Sequence, residues 1–228
     1  MLTVALILAN VAIYFFWQPH GSIEDEVRFT YAHAVIPCEV TTLEPLTIGE
    51  INSGSCSAEP TGVVLFPDKQ VIVASFTSMF LHGGLFHLLS NMWVLWIFGN
   101  NIEEAYGRIR YALLYLVAGI VATAGFILIR PQETVPLVGA SGAIAGVLGA
   151  YLVLYSRHIV LSLVGFWLLP VPAWIFLGIW FVGQFFHAET GVAWEAHVFG
   201  FLAGFAITAL VRPMLHVARG SALRSGRP

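Results

Sequence analysis

Two residues in this chain have types and neighbours suited to nucleophilic chemistry: Ser141 in Val138-Gly139-Ala140-Ser141-Gly142, and His197 in Ala196-His197-Val198-Phe199-Gly200. A serine hydroxyl becomes a nucleophile only beside a base that takes its proton, and a neutral imidazole suits that role near pH 7. A second set, His87 and Asn91, is spaced i, i+4 and so shares one helix face. Both can donate hydrogen bonds, and with the Ser141 N–H they could hold the oxyanion of a tetrahedral intermediate. Each residue also has a plain structural role open to it. Ser141 suits a helix N-cap, His197 an internal hydrogen bond, and the His87–Asn91 pair polar glue between helices. The chemical reading therefore depends on the elements that place them together.

Composition decides what those elements sit in. Of 228 residues, 58% are hydrophobic and 10% charged, with a mean hydropathy of +0.82. A soluble domain carries roughly a quarter charged residues, and a chain of this length still has a wide surface to cover. That surface must face lipid. The net charge of −3 gives no footprint for a nucleic-acid partner. Apolar segments predict six membrane-spanning helices, over about 2–17, 85–106, 111–129, 141–156, 173–186 and 193–211. The first lacks a basic region and a small-residue cleavage site and reads as a retained span. Residues 159–169 are apolar but end at Pro170 and Pro172, which suits an interfacial loop better than a span. The expected architecture is an all-α membrane protein: one domain over 1–213 with a large outer loop over about 18–84, then a basic tail over 214–228. Internal repeats and low-complexity segments are absent.

The cations set the orientation. With the N-terminus inside, seven arginines (Arg108, Arg110, Arg157, Arg212, Arg219, Arg224 and Arg227) fall on the inner side, and only Arg28, Lys69 and Arg130 on the outer. By the positive-inside rule both termini are cytoplasmic. The first loop, with acids Glu24, Asp25, Glu26, Glu39, Glu44, Glu50, Glu59 and Asp68, is extracytoplasmic. In that compartment Cys38 and Cys56 can pair or stay as two thiols, and both readings remain open.

Spans two, four and six then run inward in parallel, and their polar residues can be compared by depth. At 1.5 Å per residue, Ser141 stands about 24 Å above Arg157, His197 about 22 Å above Arg212 and Asn91 about 26 Å above Arg108. The three reach one level just below the outer surface of a core about 30 Å thick. Gly142, Gly146 and Gly149 on span four, and Gly200 and Gly204 on span six, invite close contact between the two helices. Buried polar groups at one depth, on faces built for close approach, favour the chemical reading. Glu103 and Glu104 lie at the inner end of span two near Arg108 and Arg110, and read as an interfacial ion-pair cluster. No HExxH is present and no carboxylate lies near the histidines except Glu195 at the rim, so neither a metal nor another cofactor is implied and the pair reads as a dyad.

Gly139-Ala140-Ser141-Gly142, the run from His82 through His87 to Asn91, and Ala196-His197 followed by Gly200 and Gly204 resemble the rhomboid intramembrane proteases, across spans two to six. The compact six-span form resembles the prokaryotic members. The resemblance implies a cell-membrane serine endopeptidase that hydrolyses a peptide bond in a substrate's transmembrane helix near the outer face. It implies Ser141 as nucleophile, His197 as base, and His87, Asn91 and the Ser141 amide as oxyanion hole. His82 and Glu103 take structural roles, the latter bracing the inner side. Two positions depart from the family pattern. Ala145 replaces an aromatic that stacks on the histidine, leaving that role to Trp194 or Phe199 or to a less rigid base. The Trp-Arg pair of the first loop is not recognisable. The alternative, a catalytically silent member that binds transmembrane helices, would be marked by loss of the serine or histidine, and both are present. A transporter or haem-binding bundle is a weaker third reading.

Overall fold

The computed structural model describes residues 1–57, 62–164, 167–186 and 192–215. Three sequence expectations fall outside these residues in part: the loop acid Glu59, the connection before Trp194 over 187–191, and the basic tail over 216–228. The helices are α1 (Leu2–Phe16), α2 (Ile23–His33), α3 (Pro37–Thr42), α4 (Ile48–Ser53), α5 (Val71–Thr77), α6 (Leu85–Tyr106), α7 (Arg108–Ile129), α8 (Ser141–Tyr155), α9 (Ala173–Gln184) and α10 (Trp194–Val211). Strands β1 (Ile159–Val164) and β2 (Trp167–Pro172) form an antiparallel hairpin between α8 and α9. The hairpin forms where an interfacial loop is expected: an apolar run pairs its own backbone where no helix can continue past Pro170 and Pro172.

Among the described residues, α7 and the stretch Trp194–Met214 are each long and apolar enough to cross a bilayer. Val71–Phe80 and α6 make a third span if taken together, bent by 74° at their break. Helices α1, α8 and α9 are apolar but shorter, at 15, 15 and 12 residues. Helix α7 begins at Arg108, three residues before the expected start, because Gly107 (φ +72°) turns the chain in one residue after α6.

Helix α8 sits in the middle. It is apolar around its circumference, as a fully surrounded helix must be, and twelve of its fifteen residues are buried. Helices α6, α7, α9 and α10 surround it. Small residues decide how closely: a Cβ at Gly200 would stand 2.1 Å from Gly142 O, one at Gly204 would meet Gly146 O, and one at Gly149 would lie 2.1 Å from Phe201 O. Ala122 and Ala118 of α7 fill the space over Gly142 and Gly146, and Ala122 also reaches Gly200. Residue numbers rise together along the α8–α10 seam, so the two helices are parallel. They also rise together from α6 to α8, through Phe98 against Tyr151 (4.9 Å between centroids) and the Tyr155 hydroxyl donating to Asn101 O (3.3 Å). Polar ties close the other end of the bundle, where Tyr106 and Thr208 share a 2.7 Å hydrogen bond.

The first loop holds four short helices that the sequence pattern did not reveal. Ser22 caps α2 by accepting from Asp25 N–H, and Thr47 with Glu50 forms a capping box on α4. Cys38 and Cys56 are joined as a disulfide. The loop holds the segment leading into α8: Cys38 N–H donates to Glu133 O (3.1 Å) and Leu137 N–H to Val35 O (2.9 Å). Ser78 ties both, its hydroxyl accepting from Val35 N–H (2.5 Å) and its carbonyl from Gly139 N–H (2.9 Å).

Candidate active site

Ser141 is the first residue of α8, and its entry is shaped by Gly139 at φ +127°, a conformation costly for any side chain. A Cβ at Gly139 would also lie 2.9 Å from the His87 ring, so this glycine lets backbone and imidazole share one space. The N–H groups of the first helical turn have no partner within the helix, and Ser141 sits among them at the positive end of the α8 dipole.

Across the glycine seam, His197 Nε2 lies 2.9 Å from Ser141 Oγ. His197 is three residues before Gly200, and Ser141 directly precedes Gly142, so the close glycine contact of α8 and α10 next to them sets the distance between them. Nδ1 of the same ring lies 2.7 Å from Gln184 Oε1 on α9. The ring of Trp180, one turn earlier on α9, lies 6.0 Å away at a 35° tilt. The aromatics expected to support the base do not. Trp194 packs on Phe185 (5.3 Å), and Phe199 covers Gly125 on α7.

His87 and Asn91 line the same cavity of about 620 Å³ as Ser141 and His197, with Arg130 and Glu133 also on its wall. Asn91 is buried, and its Nδ2 has no hydrogen-bond partner. Gly83 N–H points at His87 Nδ1 (3.4 Å), which leaves Nε2 as the ring's donor. His82 lies behind, its ring edge-on to His87 at 5.2 Å. Its backbone is clamped by Gln18, whose amide accepts from His82 N–H (3.0 Å) and donates to His82 O (2.9 Å).

Two carboxylates fall elsewhere. Glu195, buried at the start of α10, is bound by Arg130 Nε at 2.5 Å. Glu103 lies twelve residues past Asn91, about 18 Å along α6, and accepts from Leu2 N–H (2.6 Å), Thr3 N–H and the Thr3 hydroxyl (both 2.8 Å). It caps α1 and also pairs with the exposed Arg108 at 4.0 Å. Gly142, Gly200 and Gly204 form the seam beneath the site rather than its wall.

The sequence reading missed Gln184, Gln18 and Ser78. Gln184 carried a usable signal, a lone strongly polar residue in an apolar segment. Gln18 and Ser78 carried none, because each acts on backbone far away in the chain.

The fold and the site define a helical membrane protein with a serine–histidine pair inside its bundle. The family model of the Rhomboid domain matches residues 69–214. The chain belongs to the rhomboid family. It is 34% identical over 164 residues to Rhomboid protease GluP of Bacillus subtilis (strain 168), which covers 68% of this chain and 30% of that protein. It is 31% identical over 160 residues to RHOMBOID-like protein 1 of Arabidopsis thaliana, covering 66% and 39%. Against Putative rhomboid protease YdcA of Bacillus subtilis it is 31% identical over 136 residues, covering 59% and 64%. The chain thus matches about a third of the length of the first two relatives.

Proposed function

We propose that this protein is an intramembrane serine endopeptidase that cleaves transmembrane helices of membrane-protein substrates near the extracytoplasmic face. One observation carries the reading: Ser141 Oγ and His197 Nε2 stand 2.9 Å apart on the wall of a cavity that Asn91, whose Nδ2 has no hydrogen-bond partner among the described residues, also lines. Relatives named as rhomboid proteases support it.

In the proposed reaction His197 Nε2 takes the Ser141 proton as Oγ attacks the scissile carbonyl carbon. The carbonyl oxygen becomes an oxyanion facing Asn91 Nδ2–H, His87 Nε2–H and the Ser141 N–H. The imidazolium then gives its proton to the departing amine, leaving an acyl-enzyme that water hydrolyses with His197 again as base. Six spans with both termini cytoplasmic, in the cell membrane, place this site at the outer level. Substrate reaches it by movement of α9. Reconstitution in liposomes with a single-helix reporter tests the reading: wild type releases the outer fragment and Ser141→Ala does not. A folded wild type that leaves every such reporter intact refutes it and favours the silent, helix-binding reading.

A further inference from the structure

Gln184 occupies the last position of α9 and is 5% exposed, and its two amide atoms face different partners. Nε2 lies 3.0 Å from Trp180 O, one turn back in its own helix, and Oε1 lies 2.7 Å from His197 Nδ1. The first contact decides the second. A backbone carbonyl only accepts, so the NH₂ group of Gln184 must be the one on Trp180, and the atom presented to His197 is an acceptor. His197 Nδ1 must then carry a proton. In a neutral imidazole the lone pair is left on Nε2, the atom 2.9 Å from Ser141 Oγ.

We infer that Gln184 is a positioning residue for the proposed reaction: it fixes His197 in the Nδ1–H tautomer and holds Nε2 toward Ser141 as the base. The inference rests on the protease reading for its effect on rate, but not for its effect on the tautomer. It also supplies the support that Ala145 does not. Gln184 and Trp180 lie at i, i+4 on α9, so one helix face gives the ring both a hydrogen bond and an aromatic neighbour. Among the described residues, the group on His197 Nδ1 is a neutral amide. Glu195, the acid nearest His197 in sequence, is bound by Arg130. A carboxylate at 184 would favour the imidazolium form, whereas the amide fixes the tautomer without adding charge.

The test uses the full chain in lipid nanodiscs, with ¹⁵N-labelled histidine and an aryl phosphonate probe for Ser141. Histidine ¹⁵N spectra, with the His197 signals identified by their loss in His197→Gln, should show Nδ1 protonated and Nε2 unprotonated in wild type. In Gln184→Met, which keeps the volume and removes the acceptor, that preference should disappear and labelling of Ser141 should slow by about 10- to 100-fold. Gln184→Glu keeps the acceptor and adds charge. It should retain the tautomer, recover most of the rate at alkaline pH, and move the acid limb of the rate–pH profile upward. The inference is overturned by a wild-type His197 protonated on Nε2. It is equally overturned if Gln184→Met keeps both the tautomer and the rate, or if Gln184→Glu slows labelling without moving the pH profile. A fixed tautomer beside a Ser141 that never reacts would instead refute the protease reading and leave the role of Gln184 standing.

Discussion

Replacing Gly200 by alanine adds one methyl group where α10 crosses α8 nearest the site. A Cβ there lies 2.1 Å from Gly142 O and 3.0 Å from Gly142 C, where ordinary contact starts at 3.4 Å. The obstacle is backbone, so no side-chain rotation relieves it, and the helices must part by about 1.3 Å to restore ordinary contact. Gly142 follows Ser141 directly, and Gly200 stands less than one turn from His197. A Ser141–His197 separation of 2.9 Å that opens by the same amount reaches roughly 4.2 Å, beyond a hydrogen bond. Forced overpacking costs about 1–3 kcal/mol of stability. Loss of contact with a general base slows the reaction by at least about 10²-fold.

The assay pairs the rate of phosphonate labelling at Ser141 with thermal unfolding in detergent. Gly178→Ala on α9 is the control, because a Cβ there meets nothing within 4 Å, and it should leave both readouts unchanged. A Gly200→Ala protein that labels and unfolds like wild type would show that the glycine seam does not set the distance between the proposed nucleophile and base.

Three further outcomes are expected. Asn91→Ala should slow labelling by about 10²–10³-fold without lowering the unfolding temperature, because it removes a buried donor that has no partner in the fold; an equal loss of stability would contradict the oxyanion role. In the segment between α1 and α6, Lys69 Nζ contacts Glu39 Oε2 at 2.5 Å and donates to Tyr31 O at 2.6 Å. Burial raises the Glu39 carboxyl above its ordinary 4.5 and lowers the Lys69 ammonium, with the partner's charge opposing each shift. Lys69→Met should cost about 3–5 kcal/mol at neutral pH and raise Glu39 further. A carboxyl whose folded pKa lies above its unfolded value loses stability as pH rises from 4.5 through the folded value. The deficit of Lys69→Met should therefore shrink on acidification toward pH 4.5, and unfolding curves with the same deficit at pH 5 and pH 8 would contradict this. Finally, cysteines replacing Phe98 on α6 and Phe176 on α9, whose rings stack at 6.1 Å, should on crosslinking preserve labelling by the small probe and abolish cleavage of a helical substrate. Cleavage at the uncrosslinked rate would rule out α9 as the gate.

The bundle was legible in the sequence because its helices end where chemistry forces them to. Gly107, Pro131, Pro170 and Pro172 interrupt apolar runs, so the expected spans over 85–106 and 141–156 meet α6 and α8 within one residue. The common level of Ser141, His197 and Asn91 was legible from distances along the chain, since a helix converts sequence separation into depth. What could not be read was anything held by contacts remote in sequence. The four helices between α1 and α6 are six to eleven residues long and too short to stand without the caps and bridges that bind them. Glu103 looked like one member of a charge cluster, and only its meeting with α1, a hundred residues earlier, shows it as a cap. The support for His197 was sought among aromatics near it in sequence, and it comes instead from across the bundle, on α9.

Mass spectrometry of the folded protein after reaction with an aryl phosphonate reads the proposed Ser141–His197 pair without any peptide substrate. One residue, Ser141, should be modified in wild type and none in Ser141→Ala or His197→Ala, with both variants keeping the wild-type unfolding temperature to within a few degrees. A folded wild type that stays unmodified, or a His197→Ala protein modified at Ser141 at the wild-type rate, would contradict it.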